Sequence, residues 1–300
     1  MKKYVAIDVG GSSIKYALVD EELNFIEKGK VENTFENLDE YTDAIKNIWD
    51  KYGKGTEGLA CSMPGVIDPD TGYFYSGGLY DEYVHEINLI DELHKKINTK
   101  ISAGNDAKCA ANAELGYGVL KNADSAVVIV LGSGIGGCII MNHKVVNGKH
   151  FSAGEFSAIN SDIQHGKFSD NFWAWRNGSD GLLDRVNEAL GEETKMSGHE
   201  IFERANSGDE KVIEGLRNFC KELASEIWNF QIIFDPEVFA IGGGISVQPL
   251  LMEMLNEEID KLDSEVNTIC HIERPKCVTC RFFNGANLIG AIYHFKELFE

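Results

Sequence analysis

Twice in this chain a short apolar strand runs into a glycine turn and straight out into a second strand. The first instance is Tyr4-Val5-Ala6-Ile7-Asp8 leading into Gly10-Gly11-Ser12 and then Ile14–Asp20. The second is Ala126–Leu131 leading into Gly132-Ser133-Gly134-Ile135-Gly136-Gly137 and then the β-type run to Met141. A third glycine run, Gly242-Gly243-Gly244, follows the apolar strand Val238–Ile241. Glycine lets backbone N–H groups approach a ligand closely. Three such turns, with Asn105-Asp106 between the first two, point to a nucleotide cradled by backbone and to phosphoryl transfer from ATP.

The formal net charge of −20 narrows the partners. Nucleic acid and anionic membranes need basic faces, so neither is expected. Nucleotide phosphates must then be held by backbone N–H groups, a cation or an isolated lysine. Asp, Glu or Lys interrupts every apolar run well short of the ~18 residues a membrane span needs. Asp8 ends the first apolar run too early for a signal peptide, and a cytoplasmic location is expected. The seven cysteines form no disulfide framework, which suits a reducing compartment. Cys277-x-x-Cys280, with Cys270 and His271 upstream, has zinc-like spacing, but Cys277–Phe282 also reads as a strand.

The pattern predicts a third antiparallel strand over 24–31 and a helix over 36–52 with Leu38, Tyr41, Ile45, Ile48 and Trp49 on one face. A buried strand at 58–62, a short helix at 91–97, a strand at 100–103 and a helix at 106–115 follow. Gly116-Tyr117-Gly118 reads as a hinge. The second half repeats the opening. It adds helices near 179–190, 197–206 and 209–234, a helix at 248–262, a strand ending at Phe282-Phe283 and a closing helix at 286–298. The fold class is α/β with a duplicated architecture: an N-terminal domain of residues 1–116 joined by a returning helix 287–300, and a C-terminal domain of residues 117–286.

Each motif has a plainer reading. Gly132–Gly137 fits G-x-G-x-x-G, but a strand and not a helix follows, so the dinucleotide fingerprint fails on context. Asn105-Asp106 is a good helix N-cap. The same place, at a strand's end, suits a carboxylate that takes a proton from an attacking hydroxyl. Asp8 closes a buried strand and needs a partner, for which Mg²⁺, directly or through water, would serve. Ser12 and Lys15 can donate to phosphate. Glu155 could bind paired sugar hydroxyls. Phe151, Phe156, Trp173, Trp175, Tyr73, Tyr75, Tyr80 and Tyr83 are candidates to pack on sugar C–H faces.

Taken in order, Asp8-x-Gly10-Gly11-Ser12-x-Ile14-Lys15, Pro64-Gly65-Val66-Ile67-Asp68, Asn105-Asp106-Ala107, Leu131–Gly137, Ala153-Gly154-Glu155, Ile241–Ser246 and Asn287–Ala291 resemble the repressor/ORF/kinase (ROK) family of sugar kinases over nearly the whole chain. The resemblance implies an actin-like ATPase (ribonuclease H-like) fold, two α/β domains around a cleft, with ATP and Mg²⁺ as cofactors. It implies Asp106 as catalytic base, and Asn105, Glu155, Gly65 and Gly78 as sugar contacts. Asp8, Gly10, Gly11, Ser12 and Lys15 would serve metal and phosphate. Gly132, Ser133, Gly134, Gly136 and Gly137 would hold phosphates, and Gly243 and Gly244 would lie near adenosine.

One departure stands out. Many members carry a His two residues after the Gly-Glu pair, and then a cysteine zinc cluster ending in a second sugar-binding Glu. Here Phe156-Ser157-Ala158 follow Glu155, and no cysteine lies between Cys138 and Cys220. A structural zinc is expected to be absent, and His165 is the candidate replacement for one sugar contact. The zinc-less pattern is similar to the β-glucoside kinase branch, which implies O6 of glucose or a β-glucoside as acceptor, with N-acetylmannosamine kinase and glucokinase as alternatives. A homodimer is expected. A catalytically inactive sugar sensor is the rival from another class. A repressor with an added helix-turn-helix is not expected, since three residues precede the first strand.

Overall fold

The computed structural model describes residues 1–162, 166–283 and 285–300. They form two compact units: Met1–Gly118 with Asn147–Ser152 and Asn284–Glu300, and Val119–Val146 with Ala153–Phe283. The sequence pattern assigns 147–152 to the second half. In the structure this segment belongs to the first unit, where the buried Lys108 donates from Nζ to the Phe151 carbonyl at 2.7 Å and the Phe151 ring stacks on Tyr75.

The first unit contains β1 (Lys3–Val9), β2 (Ser13–Asp20), β3 (Phe25–Glu32), α1 (Leu38–Tyr52), β4 (Leu59–Met63), β5 (Val66–Ile67), β6 (Tyr73–Ser76), β7 (Ile87–Asn88), α2 (Leu89–His94), β8 (Ile101–Asn105) and α3 (Asp106–Tyr117). The second contains β9 (Ala126–Leu131), β10 (Ile135–Met141), β11 (Lys144–Val145), α4 (Trp173–Asn177), α5 (Ser179–Leu190), α6 (Gly198–Asn206), α7 (Glu210–Phe234), β12 (Val238–Gly243), α8 (Pro249–Val266) and β13 (Cys277–Thr279). The chain then returns to the first unit as α9 (Ala286–Phe299).

The two main sheets have the same plan. One is ordered β3-β2-β1-β4-β8 and the other β11-β10-β9-β12-β13. In each, three strands meander antiparallel and two more add in parallel. The turns at Gly10-Gly11 and Gly132–Gly134 therefore each join the first two strands of their own sheet. Cys277 lies in β13, paired in parallel with β12, and the strand stops at Thr279, short of the expected end at Phe282-Phe283. A small sheet, β5-β6-β7, grows from the loop after β4 and was not legible in the sequence.

Strand alternation sorts the first unit into layers. Val5, Ile7 and Val9 of β1 pack with Tyr41, Ile45 and Ile48 of α1 on one face. Tyr4 and Ala6 point the other way and pack with Leu288, Ile292 and Phe295 of α9. Ala6, Ala17 and Ala60 keep that second face shallow, so the helices come close. α3 lies beside α9, and their approach is closest at Gly290. A Cβ placed there would fall 1.6 Å from the Cys109 carbonyl oxygen, a backbone atom with little freedom to move. Moving along both chains, Gly116 meets the Tyr293 ring, so the two helices run in the same direction with their N-termini together. Gly290→Ala is expected to destabilise the protein by at least ~2 kcal/mol, the scale of core overpacking. The urea midpoint checks this, with an unchanged m-value separating lost packing from lost cooperativity.

Candidate functional site

Asp8 continues the alternation that sends Tyr4 and Ala6 toward α9, and so meets the N-terminus of that helix. Asn287 donates from Nδ2 to Asp8 Oδ1 at 2.8 Å, and Ser62 of β4 reaches the same oxygen at 3.3 Å. The exposed Lys15 ammonium lies 3.8 Å from Asp8 Oδ2. The sequence singled out Asp8 and Lys15. In the sequence Asn287 is only part of a terminal-helix pattern, because the face that α9 covers is a tertiary fact.

Asp106 opens α3 immediately after β8. Asn105 is the N-cap: its Oδ1 accepts from Lys108 N at 3.1 Å, and its Nδ2 donates to the Gly65 carbonyl at 3.0 Å. One asparagine thus caps the helix and holds the bend after β4. Asp106 Oδ1 accepts from Ala107 N at 2.8 Å. Burial pushes the Asp106 carboxyl up to about 6, and the Asp8 charge adds to the rise against the Ala107 bond. The Asp8 carboxylate, already oriented by the Asn287 amide and felt as a charge at Asp106, suits a hard cation with oxygen ligands.

Gly65 bends with φ +109°, where a side chain would sit 2.0 Å from the Ser76 carbonyl oxygen. Gly78 lies against the Gly65 backbone. The structure therefore groups Asn105, Asp106, Gly65 and Gly78. In the turn after β1, Gly10 N donates to Ser13 O at 3.0 Å, while Gly11 and Ser12 are exposed. Among the aromatic candidates, Tyr80 and Tyr83 pack with Tyr41, and Tyr75 stays half exposed beside Phe151.

In the second unit, β9 and β12 run parallel with Leu131 opposite Gly243. Their carboxyl ends place the Gly132 turn beside Gly243-Gly244. Gly243 takes φ +96°, where a Cβ would overlap the Leu131 carbonyl, and Gly244 is exposed, with nothing within 4 Å of where a side chain would begin. Gly132 and Ser133 are exposed, and Gly134 and Gly136 are partly so. Gly137 is a correction to the expected phosphate set. It is buried, and the Phe156 ring fills the space its side chain would take, so it serves packing. Ser157 Oγ bonds both the N–H and the carbonyl of Ile135 at 3.0 Å and pins the turn. Phe156 and Ser157 thus hold the glycine turn from behind. Glu155 is exposed, just before them. His165 lies outside the described residues. Trp173 is buried in the second unit's core, and Trp175 is exposed.

The profile of the ROK family matches residues 4–297. The chain belongs to the ROK family. Among ROK relatives it is 28% identical over 302 residues to a β-glucoside kinase of Klebsiella pneumoniae, covering 99% of this chain and 97% of that protein. It is 26% identical over 311 residues to an N-acetyl-D-glucosamine kinase of Aliivibrio fischeri, covering 97% and 98%. It is also similar to a crystal structure of a ROK family protein from Streptococcus pneumoniae in complex with sucrose, with TM-score 0.86, 25% identity and 98% of both chains covered. The fold is the actin-like ATPase fold of this family.

The pKa of Asp106 makes it a liability to stability. Its carboxyl is raised in the folded state, so the stability linked to it is full below about 3.8 and is lost as pH rises through about 6. Asp106→Asn keeps the acceptor for Ala107 N and removes the charge. At pH 8 the variant is expected to be more stable than the parent by about 3 kcal/mol, with the difference shrinking toward pH 4. Thermal unfolding measured across that range reads it directly.

Proposed function

We propose that this ROK protein transfers the γ-phosphoryl group of ATP to a sugar hydroxyl, with O6 of glucose or of a β-glucoside as acceptor. The observation that carries the reading is Asp106: a largely buried carboxylate at a helix start, pushed up to about 6 by burial. A base poised near working pH can take the hydroxyl proton as the oxygen attacks phosphorus, and return it to water after the sugar phosphate leaves. Asn105, Gly65 and Gly78 would orient the sugar beside it, with Glu155 binding hydroxyls.

Gly10, Gly11, Ser12 and Lys15 would face the transferring phosphate. Gly132, Ser133, Gly134 and Gly136 would hold the remaining phosphates, with Gly243 and Gly244 against adenosine. Backbone N–H donors suit a protein with a net charge of −20. Asp8, oriented by Asn287, would hold Mg²⁺, which when bound neutralises charge on the phosphate oxygens. Relatives phosphorylating β-glucosides and N-acetylglucosamine support a hexose-type acceptor. No helix among the described residues is long and apolar enough to cross a membrane. A cytoplasmic homodimer is part of the proposal, with light scattering as its check.

ADP release measured with glucose, cellobiose, aryl β-glucosides, N-acetylglucosamine and N-acetylmannosamine tests the assignment. Sugar-dependent release is expected, with a β-glucoside or glucose best; release indifferent to every sugar would overturn it. The parent's kcat/KM is expected to fall as pH drops through about 6, as Asp106 takes up its proton. Asp106→Asn is expected to lose at least ~10²-fold in turnover at pH 7.5, with ATP-analogue affinity retained.

A further inference from the structure

The turn after β1 is closed by one bond of its own, from Gly10 N to Ser13 O, and its three carbonyls are all gripped from outside. Tyr80 Oη donates to the Gly10 carbonyl at 2.5 Å. Asn33 donates from Nδ2 to the Gly11 carbonyl at 3.1 Å and from its backbone N to the Ser12 carbonyl at 3.0 Å. The Asn33 amide also donates to the Tyr80 hydroxyl, which ties the two grips together. Leu79 closes over the turn, with Cδ1 3.0 Å from where a Gly11 side chain would begin.

A trans peptide points its N–H opposite its C=O. Holding the Gly10 carbonyl therefore aims the Gly11 N–H away from Tyr80. Holding the Gly11 carbonyl does the same for the Ser12 N–H. Neither of these N–H groups donates to a protein acceptor among the described residues, and both residues are exposed. Without the grip, a glycine peptide can rotate and present a carbonyl oxygen to the same space. An anion would then meet a negative end in place of a donor.

We propose that Tyr80 is a positioning residue that, with Asn33, fixes the peptide orientation of this turn so that two N–H groups face the terminal phosphate of ATP. Tyr80 is well placed for the task. It is 5% exposed, and its ring packs on Tyr41 and Tyr83 with centroids 5.2 and 6.0 Å away. Burial pushes its hydroxyl up to about 12, so it remains a donor throughout the working pH range. The residue ends the segment that starts at Gly77, in which Gly78 rests on Gly65 and the Gly65 carbonyl receives Asn105. The phosphate turn is thereby built onto the same loop that borders the acceptor site.

The inference rests on the kinase reading, and its test is separable from it. Tyr80→Phe keeps the ring and removes the hydroxyl, and with it the grip on Gly10 and the tie to Asn33. Calorimetric titration with the non-hydrolysable triphosphate AMPPNP and, in parallel, with ADP, both with Mg²⁺, compares the variant with the parent. Expected is a loss of triphosphate affinity of 10-fold or more, the scale of one hydrogen bond to a charged group, with ADP affinity unchanged. In turnover, KM for ATP rises and kcat falls while KM for the sugar stays within about threefold. Equal losses for AMPPNP and ADP, or no loss for either, overturn the proposal. Failure of the parent to consume ATP with any sugar would instead overturn the kinase reading, and the AMPPNP-to-ADP comparison would still judge the clamp.

Discussion

The packing of α9 across β1 and against α3 is the contact on which the first unit depends. It buries the Tyr4 and Ala6 face of the central strand, and it sets two helix N-termini side by side. One begins with Asp106 and the other carries Asn287 to Asp8. Helix N-termini favour negative charge, which partly offsets the cost of holding two carboxylates near each other. Burial still dominates at Asp106, whose carboxyl remains well above its ordinary range. The same burial that burdens the folded protein at neutral pH gives Asp106 the proton affinity that the proposed base requires. Stability and chemistry pull on this side chain in opposite directions.

The duplicated sheet plan explains why the glycine residues fall where they do. In each sheet the turn between the first two strands lies next to the bend that ends the first parallel neighbour. In the first unit these are Gly10–Ser12 and Gly65; in the second, Gly132–Gly134 and Gly243-Gly244. The two sites share a backbone scaffold and differ in what surrounds it. Asn105 and Asp106 border the first, which suits a neutral acceptor. The second is open at Gly244, which suits a flat ring. The surroundings differ at the ends of strands whose pairing is the same.

The strands and helices were legible because their periodicity and punctuation are strong. Val5, Ile7 and Val9 alternate cleanly, and the long stripe of α7 ends where Asp235 turns left-handed before Pro236. The candidate residues were legible as motifs, Asp106 and Asn105 above all. What escaped was tertiary. The sequence does not say which face of β1 receives α9, so Asn287 stood out only through resemblance. Asn33 and Tyr80 belong to no motif, and their hold on the Gly10 turn needs a fold that brings residues 22 and 70 positions away to one place. Gly137 misled because a glycine that admits an aromatic ring looks, in sequence, like one that admits a phosphate. The crossing segment 147–152 has no local signal for the unit it joins.

The return of α9 also orders the protein's birth. Tyr4 and Ala6 are separated by the whole of Val119–Phe283 from the helix that covers them, which is made later. During synthesis the β9–β13 sheet can complete itself while β1 still has one apolar side bare. Asp8 has no Asn287 to orient it until that last helix emerges. Both acids are therefore made long before the amide that orients one of them.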